Sequence, residues 1–265
     1  MLLDKTTTKI TDSESILSFE TSGTKPWDVW DRYIMIDGKQ AFHIGNICGT
    51  CSFFFERLDG ANKTPNPKNT IQALNKGIKK LDESLINNLE KIIPNGEYIV
   101  TLSEIKPQLT KPNDSNDYFA NEQVQLLGIN HFSGLPHYPR TEYYRSNSFN
   151  INEDTGFFEF IVPTFPNGWL DIEKVEEYQT IIRDKEKPTI VTMGILDVKT
   201  PMDYNEEESI TSHWCLANYL VDGHHKIYAS ALENKPITMI SFLAIEQGIS
   251  SKEDINKLLE SMKKI

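Results

Sequence analysis

The chain has 265 residues, 38% of them apolar and 10% aromatic, which is enough to bury a core and excludes a disordered or collagen-like polymer. Its 27 basic and 38 acidic side chains give a formal net charge of −11, which disfavours nucleic acid and anionic membranes as partners. No segment approaches the roughly 20 apolar residues of a membrane helix, no signal-type leader opens the chain, and three cysteines do not make a disulfide scaffold, so the expected compartment is the cytoplasm.

Residues 1–25 are rich in Thr, Ser, Lys and Asp and read as a loosely docked, flexible arm. From Trp27 the aromatic and β-branched run to Ile36 predicts a strand. Asp37-Gly38 predicts a tight turn, and Ala41–Ile44 the return strand. Residues 47–58 read as a loop entering a short helix. Apolar residues Ile71, Leu74, Ile78, Leu81, Leu85 and Leu89 recur at steps of three or four and predict one helix over about 70–91. Pro94-Asn-Gly stops it and Glu97–Leu102 follows as a strand. Residues 106–117 and 134–150 read as loops, the second crowded with His137, Tyr138, Arg140, Tyr143, Tyr144 and Arg145. Residues 150–156 are turn-rich and suggest a boundary, so the expected organisation is an arm (1–25), a mixed α/β N-terminal region (26–150) and a C-terminal domain (151–265).

Beyond Gly156 strands and helices alternate: strand 157–162, helix 172–183, strand 189–198, an acidic loop, strand 216–221, a helix, and strand 237–244. The fold class expected is α+β, an α/β C-terminal domain joined to a mixed N-terminal half. The join Tyr219-Leu-Val-Asp222-Gly223-His224-His225-Lys226 runs from strand through a glycine turn into a helix, the arrangement that binds anions on free backbone N–H groups. In it Gly223 permits close backbone approach, Lys226 supplies a charge for phosphate, and His224 or His225 is suited to hydrogen bonding or proton transfer. Asp222 can hold a histidine tautomer or a metal ion. The bland alternative is a turn with one packed and one solvated histidine.

Together with Leu170–Arg183, Lys187–Val191 and Pro236–Ile240, this box resembles the ParB/sulfiredoxin superfamily over residues 157–245. It is similar to bacterial proteins with an Asp-Gly-His-His-Arg box, including ADP-dependent serine kinases, with Lys226 in place of the arginine. The resemblance implies a small-molecule nucleotide or phosphate ligand (ATP, ADP or CTP, with Mg²⁺) held by Gly223, His224, His225 and Lys226. It further implies phosphotransfer or NTP hydrolysis with His224, His225 and Asp222 as catalytic residues; a non-catalytic binding or scaffold protein is the alternative. The insertion 199–216 departs from the pattern. Glu159 and Asp171 are candidates for an additional carboxylate, although Asp171 equally suits a helix N-cap.

Cys48-Gly-Thr-Cys51 allows three readings. With His43 and either Cys215 or His213 it makes a zinc set, before a helix it makes a redox pair of lowered pKa, and beside Phe53–Phe55 it makes two buried thiols.

Overall fold

The structure, a computed structural model, describes residues 1–22, 31–46, 55–63, 72–112, 114, 115, 117–135, 137, 139–200 and 211–263. In chain order come β1 (Leu2–Ile10), β2 (Leu17–Thr21), β3 (Asp31–Ile36), β4 (Lys39–Asn46), β5 (Glu56–Arg57), α1 (Ala73–Lys76), α2 (Glu83–Glu90), β6 (Gly96–Ile105), β7 (Gln108–Leu109) and α3 (Tyr118–Leu127). There follow β8 (Tyr144–Asn152), β9 (Thr155–Val162), a 3₁₀ turn (Asn167–Trp169), α4 (Ile172–Arg183), β10 (Thr189–Lys199), β11 (Ser212–Asp222), α5 (His224–Glu233), β12 (Ile237–Ala244) and α6 (Lys252–Met262). The class is α+β. Among the described residues no helix is long and apolar enough to cross a membrane.

One eight-stranded sheet runs β1-β6-β12-β10-β11-β9-β8-β7, and a four-stranded antiparallel sheet runs β2-β3-β4-β5. In the large sheet β10 is parallel to β12 and β9 to β11, whereas β10 and β11 are antiparallel. Its central strands are largely apolar on both faces because both are covered, as burial of every residue of β9 and β12 shows. On one face Ile161, Ile190, Leu220 and Met239 meet α4 and α5, and Phe157, Leu196, Trp214 and Leu243 meet α6. On the other, Phe160, Met193, Tyr219 and Phe242 share a core with the small sheet and α2.

A buried ion pair ties the layers together. Arg32 of β3 donates to both carboxylate oxygens of Asp197 on β10, at 3.0 and 2.6 Å, and to the carbonyl oxygens of Ile44, Gly45 and Gln247. Every guanidinium N–H has an acceptor, which is what a buried arginine requires.

Several expectations are corrected. The described part of the arm, residues 1–22, holds two strands: β1 pairs along its length with β6, and β2 with β3. Its polar composition reflects an edge position, where few side chains are covered. The single helix over 70–91 is two, α1 and α2, because Gly77 turns the chain at φ +85° and a Cβ there would lie 2.3 Å from the Lys187 carbonyl oxygen. The periodic leucines Leu74, Leu81, Leu85 and Leu89 are nevertheless all buried. Residues 56–57, expected to be helical, pair with β4, and 47–54 lie outside the described residues. The spacer at 150–156 is a hairpin pairing Asn152 with Thr155, and the large sheet takes strands from both sides of it. The Asp37-Gly38 turn, with φ values of 52° and 71°, is as expected.

Candidate functional site

The Asp222–Lys226 box lies where β11 passes into α5. Gly223 is the N-cap of α5 in the left-handed region (φ 103°, ψ 26°) and has no side chain with which to cap the helix. A Cβ at this position would sit 2.6 Å from Ile190 Cγ2, so close packing against β10 and the backbone conformation both demand glycine. The amide N–H groups of His224, His225 and Lys226, in the first turn, have no acceptor among the described residues, while Ile227 N–H closes the first helical bond on the Gly223 carbonyl.

His224 is turned inward and is 5% exposed. Its Nε2 accepts from the Thr164 backbone N–H at 3.1 Å, and its ring stacks on Phe165 with centroids 4.0 Å apart. Thr164 Oγ1 lies 3.0 Å from the same nitrogen but donates its proton to the Leu220 carbonyl oxygen. The proton of the neutral ring is therefore on Nδ1. Burial, with the neighbouring His225, pushes the His224 pKa down to about 3. His225 is half-buried and points toward α4, where its Nε2 accepts from the Asp171 backbone N–H at 3.1 Å. Burial lowers its pKa, and the charge of Lys174 adds to the effect.

Lys226 is 2% exposed. Its Nζ donates to the Thr189 carbonyl oxygen at 3.0 Å and to Asp222 Oδ2 at 3.3 Å, and lies 5.8 Å from the Tyr178 ring centre. Desolvation lowers its pKa, and Asp222 opposes the shift. The box is thus knit to three other segments by Thr164, Asp171 and Thr189. These partners carry no motif of their own, and only the adjacency of strand ends reveals them.

The other candidate carboxylates have structural partners. Asp171 is the N-cap of α4 and accepts from Glu173 N–H at 3.1 Å. Glu159 is fully buried in β9, accepting from the Ser146 hydroxyl, from Asn147 Nδ2 at 2.6 Å and from Asn218 Nδ2 at 3.2 Å. It belongs to a polar row across the sheet, with Asn218 Oδ1 in turn accepting from Ser241 Oγ at 2.7 Å.

Cys48 and Cys51 lie outside the described residues. Of the other zinc candidates, His43 bonds Asp31 at 3.1 Å and packs on Tyr33, on the side of β4 away from Phe42 and Ile44. Buried Cys215 shares the core with Phe42 and Ile44, so β4 lies between it and His43 and the two are not brought together. His213 is 3% exposed between the rings of Phe119 and Phe158, and burial pushes its pKa down to about 4. No group of three or more His, Cys, Asp and Glu side chains among the described residues is placed to hold a metal ion.

The aromatic-basic loop divides. His131, His137 and Arg140 are exposed; Tyr138 lies outside the described residues. Tyr143 and Tyr144 are buried, and the Arg145 guanidinium lies 4.5–5.6 Å from the ring centres of Phe119, Phe158 and Phe160.

In comparisons with family models, with curated proteins and with solved structures, nothing matches the chain.

Proposed function

We propose that the chain binds a phosphate-bearing small molecule of the nucleotide class at the N-terminus of α5, as a binding protein in which His224 takes no part in proton transfer. The observation that carries this reading is the first turn of α5, where three backbone N–H groups lack acceptors among the described residues and the glycine N-cap supplies none. Amides so placed, at the positive end of the helix dipole, suit an anionic oxygen. Trp169, 60% exposed, is two residues before Asp171, whose N–H reaches His225, and its ring is a candidate for stacking on a base.

Phosphoryl transfer finds less support. His224 Nε2 already accepts a hydrogen bond inside the fold, and Asp222 is paired with Lys226. Among the described residues a divalent ion is offered no preformed carboxylate pair here: Asp171 caps α4 and Asp222 is paired with Lys226.

The test is the thermal midpoint of the full chain with ATP, ADP, CTP, GTP or inorganic phosphate, with and without Mg²⁺, since a ligand that binds the folded state raises stability by RT ln(1 + [L]/Kd). His225→Ala removes a side chain and His225→Pro also removes an amide N–H, at a position in the first helical turn that tolerates proline. A nucleotide-dependent rise kept in His225→Ala and lost in His225→Pro supports the reading; no rise with any of these ligands sinks it.

A further inference from the structure

Among the described residues the large sheet ends at β1, and the hydrogen-bonding pattern identifies which of its groups face outward. Lys5 N–H donates to Asp4 Oδ1, not to β6. On β6 the even-numbered residues face β1, as Glu104 N–H donating to the Met1 carbonyl shows, and the odd-numbered ones face β12, as the Glu97 carbonyl accepting from Ile245 shows. By the alternation of an antiparallel ladder, Asp4, Thr6 and Thr8 bond β6, and the backbone groups of Lys5, Thr7 and Lys9 face the open edge. Beside this edge runs a groove of about 500 Å³ whose far wall is the segment Lys80–Asp82 and α2. Leu81 N–H donating to Asp4 Oδ2 and Thr8 Oγ1 donating to Glu90 hold the two walls together.

We propose that this groove receives an extended, lysine- or arginine-bearing peptide segment of another protein, which adds a strand to β1. An open strand edge is a template for main-chain pairing, with specificity left to the side chains that flank it. The volume is within the roughly 300–1,000 Å³ range of ligand clefts. Charge selects the partner: the lining carries the carboxylates of Asp4, Asp82, Glu83 and Glu90 against Lys5 and Lys80, and Lys5 is turned toward Glu260 on α6 at 3.8 Å. A second copy of the chain fits poorly. Self-pairing brings together two molecules that each carry a net charge of −11.

Fluorescence anisotropy of a labelled, capped peptide of alternating Val and Lys, titrated with the full chain, tests the proposal against the matching Val-Glu peptide. The Val-Lys peptide should bind and the Val-Glu peptide should not. Thr7→Pro removes an outward N–H at an edge position where proline is tolerated, and should weaken binding about tenfold or more, whereas Thr7→Val, which keeps the N–H, should not. Glu83→Lys leaves the strand untouched and should also weaken it. Equal affinity for the two peptides, or affinity unchanged in both Thr7→Pro and Glu83→Lys, overturns the proposal. So does a concentration-dependent dimer that Thr7→Pro dissolves, since it would make a second copy the occupant.

Discussion

The backbone N–H of Thr164 donates to His224 Nε2 at 3.1 Å, so the first histidine of the box is held as a neutral hydrogen-bond acceptor by the loop that follows β9. That bond fixes the tautomer, seats the ring on Phe165 and joins the C-terminal end of β9 to the start of α5. Protonating Nε2 would set two donors against each other at a buried position.

A pH dependence of stability follows. Folded His224 and His213 take up protons only near pH 3 and pH 4, whereas in the unfolded chain each does so near 6.5. Between these values the unfolded state binds more protons, so stability falls as the pH drops from 6.5 toward 4, by about 1.4 kcal/mol per pH unit for each histidine once the unfolded side chain is protonated. Denaturant titrations at a series of pH values check this. His213→Phe, which keeps a ring between Phe119 and Phe158, should make the dependence shallower; a curve flat over that range contradicts the burial of both rings.

Lys226 offers a second test. Its ammonium is buried against the Thr189 carbonyl and Asp222, so Lys226→Met should destabilise the fold by on the order of 3 kcal/mol, by leaving Asp222 without its cation. The double variant Lys226→Met/Asp222→Asn should recover part of the loss, because no unpaired charge remains. Urea midpoints of the two variants distinguish a structural ammonium from one whose removal the fold does not register. For the same reason loss of ligand binding in Lys226→Ala alone would not identify a phosphate contact.

Gly223→Ala should cost more than about 1 kcal/mol, since the backbone there has positive φ and the new methyl meets Ile190 Cγ2 at 2.6 Å. Thermal denaturation measures it, and a neutral outcome would mean that β10 and α5 are not in contact as described.

Asp197→Ala should destabilise by about 3–5 kcal/mol, the usual consequence of removing one partner of a buried pair. It leaves the Arg32 guanidinium, buried between the two sheets, with only carbonyl oxygens as acceptors. Hydrogen exchange should then show β3 and β4 losing protection before β10 and β12 do. Uniform loss would place the coupling between the sheets elsewhere.

Local pattern determined much of the chain. The alternation of elements after Gly156 was legible because β9, β10 and β12 are buried on both faces and read as mostly apolar, β-branched or aromatic runs, and α4 sits between an Asp cap and a polar end. The Asp37-Gly38 hairpin was legible from its turn residues, and the glycine at 223 from the strand-to-helix join. The leucine periodicity at 74–89 marked what is buried but not one continuous helix, because Gly77 and the carbonyl it packs against interrupt it. Only tertiary structure decided the rest. β1 hid in a polar sequence because an edge strand needs few apolar side chains, and its partner β6 is nearly 100 residues away in register, Thr6 opposite Val100. The inward orientation of His224 and the burial of Lys226 depend on Thr164 and Thr189, contributed by the loop after β9 and by β10. A sequence specifies which residues can donate, accept or carry charge; which of those capacities the fold has already used is settled by what other strands bring beside them.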